Sequence, residues 1–158
     1  MTTPQKQQRK GRIVLATGPM GAGKSAFLLK EARRNKAARK NVLALCSNLD
    51  TRKNGNLPEI ATHDGRVLPA IKLSRLSDAD PSLVAKSDVI LIDEGQFFED
   101  LVEKCEEWAD AGKYITVAAL NSTFERGEFS QINLLFNRID DIAFIKAVCT
   151  KCGEDAAF

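Results

Sequence analysis

Gly18-Pro19-Met20-Gly21-Ala22-Gly23-Lys24-Ser25 matches the pattern G-x-x-x-x-G-K-[ST], and its neighbours supply the context the pattern needs. Ile13 to Thr17 ahead of it is a short apolar run, read as a buried strand. Ser25 to about Arg39 behind it is rich in Ala, Leu, Lys, Glu and Arg, holds no proline, and is read as a helix. Strand, glycine-rich turn and helix together make a phosphate-binding loop. The glycines let the backbone wrap closely, so that several N–H groups converge on one phosphate, and the helix N-terminus adds partial positive charge. In this geometry Gly18, Pro19, Met20, Gly21, Ala22, Gly23, Lys24 and Ser25 form the cradle. Lys24 reaches the β and γ phosphates, and the Ser25 hydroxyl is placed for Mg²⁺.

Working outward, the same alternation continues. Val42 to Cys46, Val89 to Ile92, Tyr114 to Leu120 and Ile142 to Val148 are short apolar runs expected to be strands. Ser77 to Lys86, with Ser77 or Asp78 as cap, and the acidic stretch Phe97 to Ala111, closed by Gly112, are expected to be helices. Residues 47–70 carry Asn-Gly, Asp-Gly, Pro58 and Pro69, and read as a long loop or loose hairpin. Short buried strands alternating with helices predict an α/β fold with a mostly parallel sheet.

Composition agrees. The chain has 158 residues, 44% hydrophobic and 28% charged, which fits one domain with a sizeable core. Disordered, collagen-like and membrane-bundle classes are excluded, and no run of 18 apolar residues is present. Met1 to Lys10 is polar and basic with no apolar h-region, and the four cysteines fit a reducing compartment. The expectation is a cytoplasmic protein that contacts no membrane. The net charge of +2 conceals an asymmetry, because residues 1–40 hold 11 Lys and Arg against Glu31 alone. Such a block attracts phosphate. Residues 1–11 read as a flexible basic arm, and Arg33, Arg34, Lys36, Arg39 and Lys40 as a solvated helix face. Cys46 and Cys105 read as small core residues, His63 as a turn residue, and Trp108 and Tyr114 as packing residues.

Val89-Ile90-Leu91-Ile92-Asp93-Glu94 is a buried strand that delivers two carboxylates to its end. Asp93 suits a magnesium ion, and Glu94 suits a base that takes a proton from a hydroxyl or water near the γ-phosphate. Cys149 and Cys152 have metal-ligand spacing but are two of the four ligands that a structural zinc needs.

Asp93-Glu94-Gly95-Gln96-Phe97-Phe98, together with Gly-Pro-Met ahead of Gly-Lys-Ser, resembles the cellular-type thymidine kinase family. Asp50-Thr51-Arg52 with Thr62-His63-Asp64, Ala118 to Arg126, and Ala147 to Cys152 resemble three further segments of that family, in order. The resemblance implies a RecA-like core over residues 12–148 and the start of a small zinc-ribbon lobe over 149–158. It implies ATP- and Mg²⁺-dependent phosphorylation of the 5′-hydroxyl of thymidine or deoxyuridine. Glu94 would be the general base, Lys24 and Arg52 the charge stabilisers, and Ser25 and Asp93 the magnesium ligands. Met20, Phe97, Leu120, Thr123, Phe124 and Phe129 would line the nucleoside slot, and Cys149 and Cys152 would begin a zinc site. The family forms homotetramers and is inhibited by its end-product triphosphate.

Departures from the family pattern lie beside the slot: Asn121-Ser122 stands where the family has Asp-Gly, and Glu125 where it has Gln. The family also has a second cysteine pair and a loop closing over the base. With Phe158 so soon after Cys152, the expectation is a core without part of its lid. Two other readings compete. A non-catalytic nucleotide-binding subunit would have no need to keep Lys24, Ser25, Asp93 and Glu94 together. An ATP-driven nucleic-acid protein, for which Asp-Glu-x-Gln also occurs, would need a second lobe and aromatics among its basic residues. Nucleic acid is not expected as a partner. A GTP switch is disfavoured by the lack of Asn-Lys-x-Asp.

Overall fold

The computed structural model describes residues 10–49, 58–62, 64–122 and 128–156. Arg12–Gly18 forms β1, Lys24–Ala37 α1, Val42–Ser47 β2, Glu59–Ala61 β3, Val67–Pro69 β4 and Ile71–Leu73 β5. Pro81–Lys86 is α2, Val89–Asp93 β6, Leu101–Asp110 α3, Tyr114–Leu120 β7, Ser130–Phe136 α4 and Asp141–Phe144 β8. Ala147–Val148 and Asp155–Ala156, β9 and β10, pair antiparallel in a small hairpin.

Six strands make one sheet in the order β5-β2-β6-β7-β1-β8. All of its pairings are parallel, as the sequence predicts. A parallel sheet is covered on both faces, so its inner strands read as unbroken apolar runs. All five residues of β6 are buried. One face packs Ile13, Leu15, Ile90, Ile92, Ile115 and Val117 against Leu101, Cys105 and Trp108 of α3 and Ile132 and Leu135 of α4. The other packs Ala44, Cys46, Leu91 and Ala118 against Leu28, Leu29 and Ala32 of α1 and Ile60 and Leu68 of the β3–β4 hairpin. The buried positions of α3, Leu101, Cys105, Trp108 and Ala109, follow helical spacing. Cys46 and Cys105 are core residues, and Trp108 is buried.

Several expectations need correction. Tyr114 is not a packing residue: it is 46% exposed, and the Lys40 ammonium lies 4.8 Å from its ring centroid. The stretch Ser77 to Lys86 is two pieces, a 3₁₀ turn at Leu76–Asp78 and then α2. The cap of α2 is Asp80, which accepts from the Ser82 N–H at 2.8 Å ahead of Pro81 in the first turn. Phe97 belongs to a 3₁₀ turn, Gly95–Phe97, and α3 starts only at Leu101. The run from Ile142 to Val148 breaks after Phe144, so β8 joins the large sheet and β9 the small one. Within 47–70, Ser47 ends β2, and Glu59–Ala61 and Val67–Pro69 pair as the β3–β4 hairpin. The cluster Arg33, Arg34, Lys36, Arg39 and Lys40 is solvent-exposed, as expected.

Candidate functional site

Ligands of parallel α/β sheets bind beyond the carboxyl ends of the strands. Here that edge gathers the phosphate loop after β1, Asp93 and Glu94 after β6, and Leu120 at the end of β7. Strand β7 lies between β1 and β6, so the loop and the carboxylates come from strands that are not neighbours.

The loop has the backbone its glycines permit. Gly21 has φ 75° and Gly23 φ 95°, in the left-handed region that costs glycine least. Gly23 is the N-cap of α1, with no side chain capping it, so the first N–H groups of the helix stay directed at the loop. Lys24 Nζ donates to the Pro19 carbonyl at 2.6 Å. Below the loop, Thr17 Oγ1 donates to the Ala119 carbonyl at 3.0 Å and ties β1 to β7.

The two acidic residues are held differently. Asp93 is buried to 2% exposure. Its Oδ2 accepts from the Ser25 hydroxyl at 3.3 Å, and its Oδ1 accepts from the Glu94 N–H at 3.0 Å. Helix and strand end thus meet through two hard oxygen donors. That pair suits Mg²⁺, an ion that keeps several waters and phosphate oxygens and takes few protein ligands. Glu94 has φ 53° and ψ 43°. A left-handed conformation at a non-glycine residue is strained by about 1–2 kcal/mol and clusters at functional sites. The strain turns the chain sharply after β6 and sets the Glu94 side chain beside Gln96. Gln96 Nε2 donates to Glu94 Oε2 at 2.6 Å, and Gln96 Oε1 accepts from the Leu120 N–H at 3.2 Å. The buried Gln96 therefore links Glu94 to the end of β7. Gly95 sits so close to β7 that a Cβ there would come 2.5 Å from Val117 Cγ1.

The sequence-derived site residues separate into three groups. Lys24, Ser25, Asp93 and Glu94 are brought together. Of the apolar set, Met20 on the loop is 70% exposed, Phe97 and Leu120 are half-buried near Gln96, and Phe129 packs on the core face that carries α3 and α4. Arg52, Thr123 and Phe124 lie outside the described residues, as do His63 and Glu125.

Sequence reading missed Gln96 as the partner of Glu94. It also missed a cavity of about 510 Å³ at the start of α1, lined by Gly23, Ala26, Phe27, Lys30, Arg33, Arg66 and Ile145. The run Ala26-Phe27 directly after Ser25 was a signal for it. The other walls come from distant segments that only the fold assembles.

Cys149 and Cys152 flank a tight turn in which the Gly153 N–H donates to the Cys149 carbonyl at 2.9 Å. Backbone N–H groups of Cys152 and Lys151 directed at its sulfur hold the Cys149 thiol below the ordinary thiol range. A thiol made more acidic in this way favours the thiolate that metals bind. The two sulfurs are half of a tetrahedral set, and among the described residues no group of three or more His, Cys, Asp or Glu could hold a metal ion. No helix among the described residues is long and apolar enough to cross a membrane.

Comparison with known proteins agrees with this geometry. A solved structure, domain III of the Thermotoga maritima replication initiation protein DnaA, superposes with a TM-score of 0.50 at 14% identity, over 90% of this chain and 57% of that one. It supports the fold alone. The thymidine kinase of myxoma virus (strain Lausanne) is 38% identical over 148 residues, 94% of this chain and 81% of that protein. The cytosolic thymidine kinase of Cricetulus griseus is 38% identical over 149 residues, covering 94% of this chain and 62% of that protein. Thymidine kinase 1 of Dictyostelium discoideum is 37% identical over 153 residues, 96% and 67% of the respective chains. The thymidine kinase family model matches residues 11–158. With the phosphate loop, the strand-end carboxylates and the parallel sheet between them, this chain belongs to the thymidine kinase family.

Proposed function

We propose that the chain transfers the γ-phosphate of ATP to the 5′-hydroxyl of thymidine or deoxyuridine. The observation that carries this reading is the joining of the loop to the strand end, Ser25 to Asp93 at 3.3 Å, beside a Glu94 carboxylate held by Gln96 at 2.6 Å. Phosphoryl transfer asks the protein mainly for positioning and charge stabilisation. The loop N–H groups and Lys24 bind the triphosphate. Ser25 and Asp93 would hold Mg²⁺, which when bound neutralises phosphate charge. Glu94 accepts the proton of the attacking 5′-hydroxyl and is kept in place for it by Gln96. The cavity at the start of α1 offers Phe27 and Ile145 to a purine ring and Lys30, Arg33 and Arg66 to phosphate and ribose.

Family membership supports the further assignments of Arg52 to charge stabilisation and of Met20, Phe97, Leu120, Thr123, Phe124 and Phe129 to the nucleoside slot. It also supports a kinase core over 12–148 after a basic arm, a second lobe beginning near Cys149 with Zn²⁺ as its metal, a cytoplasmic location, a homotetramer and inhibition by the triphosphate product.

The test is formation of thymidine monophosphate from ATP, Mg²⁺ and thymidine across a nucleoside panel, with Glu94→Gln alongside. The expected result is thymidine monophosphate from the unaltered chain. Turnover should drop about 10²–10⁴-fold in Glu94→Gln with ATP binding retained. Near-normal turnover in Glu94→Gln would remove Glu94 as base. ATP binding without product from any nucleoside would favour a nucleotide-binding subunit.

A further inference from the structure

Lys72 lies in the middle of the edge strand β5. In register it faces Cys46 of β2, and Cys46 in turn faces Asp93 of β6. Residues in register on parallel strands project from the same face of the sheet. Lys72, Cys46 and Asp93 therefore share one face, the one on which Cys46 packs with Leu28 and Leu29 of α1. Two strand spacings, about 10 Å between Cα atoms, separate Lys72 from Asp93.

The Lys72 Nζ is buried and has no hydrogen-bond partner among the described residues. A buried ammonium without a counter-charge is costly. Asp93 makes no hydrogen bond to it; that carboxylate accepts from the Ser25 hydroxyl and the Glu94 N–H. Lysine carries three donors on a flexible four-carbon stem and acts on phosphate as a point charge. The strand order then decides which anion it meets. The phosphate loop follows β1, on the far side of β6 from β5. A triphosphate seated in the loop runs toward Asp93 and Glu94, and Lys72 stands beyond that strand end, across β6 from the loop that carries Lys24.

We infer that Lys72 is a phosphate-binding residue that meets the terminal phosphoryl group from the β5 side of the sheet, opposite Lys24. The inference rests on the phosphoryl-transfer reading of the same site and adds to it a cation that the motifs do not contain.

The experiment compares the full chain with Lys72→Met, which keeps chain length and removes charge. Calorimetry with inorganic tripolyphosphate and with ATP is paired with the thermal midpoint of the unliganded protein. Lys72→Met should bind tripolyphosphate about tenfold or more weakly, the usual scale of a lost hydrogen bond to a charged group. Its unliganded midpoint should equal or exceed that of the unaltered chain, since an uncompensated buried charge has gone. Lys72→Arg should recover part of the binding. Tripolyphosphate affinity within twofold of the unaltered chain would overturn the inference. So would a fall in the unliganded midpoint or failure of Lys72→Met to fold, since either would give Lys72 a structural role. If the unaltered chain binds tripolyphosphate and makes no thymidine monophosphate, the nucleoside assignment fails while the binding ratio still decides Lys72.

Discussion

Gln96→Glu changes a single atom of the contact that holds the proposed base. In the structure the Gln96 amide nitrogen sits 2.6 Å from Glu94 Oε2; in the variant an oxygen takes that place. Two full charges at that distance repel by about 1.6 kcal/mol in bulk water and about 6 kcal/mol at an effective dielectric constant of 20. Gln96 is 8% exposed, so the upper part of that range applies, reduced by whatever rotation the side chains find. The pair relieves the repulsion by taking up one proton, as paired carboxylates do. At about 1.4 kcal/mol per pH unit, the acid limb of the rate profile should move up by roughly one to four units. At the upper end of that shift, which the burial of Gln96 favours, the base is largely occupied at neutral pH, and turnover there should fall by about tenfold from an ordinary carboxylate limb. The Leu120 N–H still finds an acceptor at position 96, so the folded state should survive. The assay is thymidine monophosphate formation at saturating ATP from pH 5 to 10, with ATP binding measured at each pH. An unmoved acid limb with unchanged turnover would refute both the pairing of Gln96 with Glu94 and the role of Glu94 as base.

Two further predictions concern stability. Gly95→Ala drives a methyl group to 2.5 Å from Val117 Cγ1, and overpacking of this kind should cost about 1–3 kcal/mol in chemical denaturation; an unchanged midpoint would mean that the turn after β6 yields freely. Asp100 is buried, and burial alone would raise its pKa. The Ser77 and Leu76 N–H groups, at 2.9 and 3.0 Å, outweigh burial and hold it below its ordinary 3.8. A depressed folded-state value means that the contribution is complete above the unfolded value and is lost as pH falls through the folded one. Asp100→Asn should therefore lower stability by about 1–3 kcal/mol at neutral pH, the cost of leaving a buried donor poorly matched. The gap between the two proteins should close as pH drops below about 3.8; a gap constant from pH 7 to pH 3 would show that the charge of Asp100 contributes nothing.

The phosphate loop and the Asp93-Glu94 strand end were legible because each is a local pattern whose chemistry depends on adjacent residues. The sheet was legible because both of its faces are covered, which makes its inner strands apolar throughout. β5 and α4 were not, since Ile71–Leu73 has three residues and Ser130–Phe136 seven, too few for a period to emerge. Gln96 and Lys72 escaped for another reason. Their meaning lies in strand order and register, which bring Leu120 to Gln96 and Asp93 level with Lys72. The left-handed backbone at Glu94 left no trace, because nothing in a glutamate announces that tertiary contacts will hold it strained. Tyr114 was misread because its ring stacks under Lys40 at the surface, an environment that residue type alone does not disclose.

The interposed strand β7 has a consequence for how this site can diversify. With β7 between the phosphate loop and the carboxylates, the segment leaving Leu120 begins midway between donor and base, while contributing no member of the Lys24, Ser25, Asp93 and Glu94 set. Under the proposed function, chemistry and choice of substrate are thus entrusted to different strands. Asn121 and Ser122 stand at the first steps of that segment. On that reading, substitutions there should retune which acceptor is admitted while Lys24, Ser25, Asp93 and Glu94 keep their places.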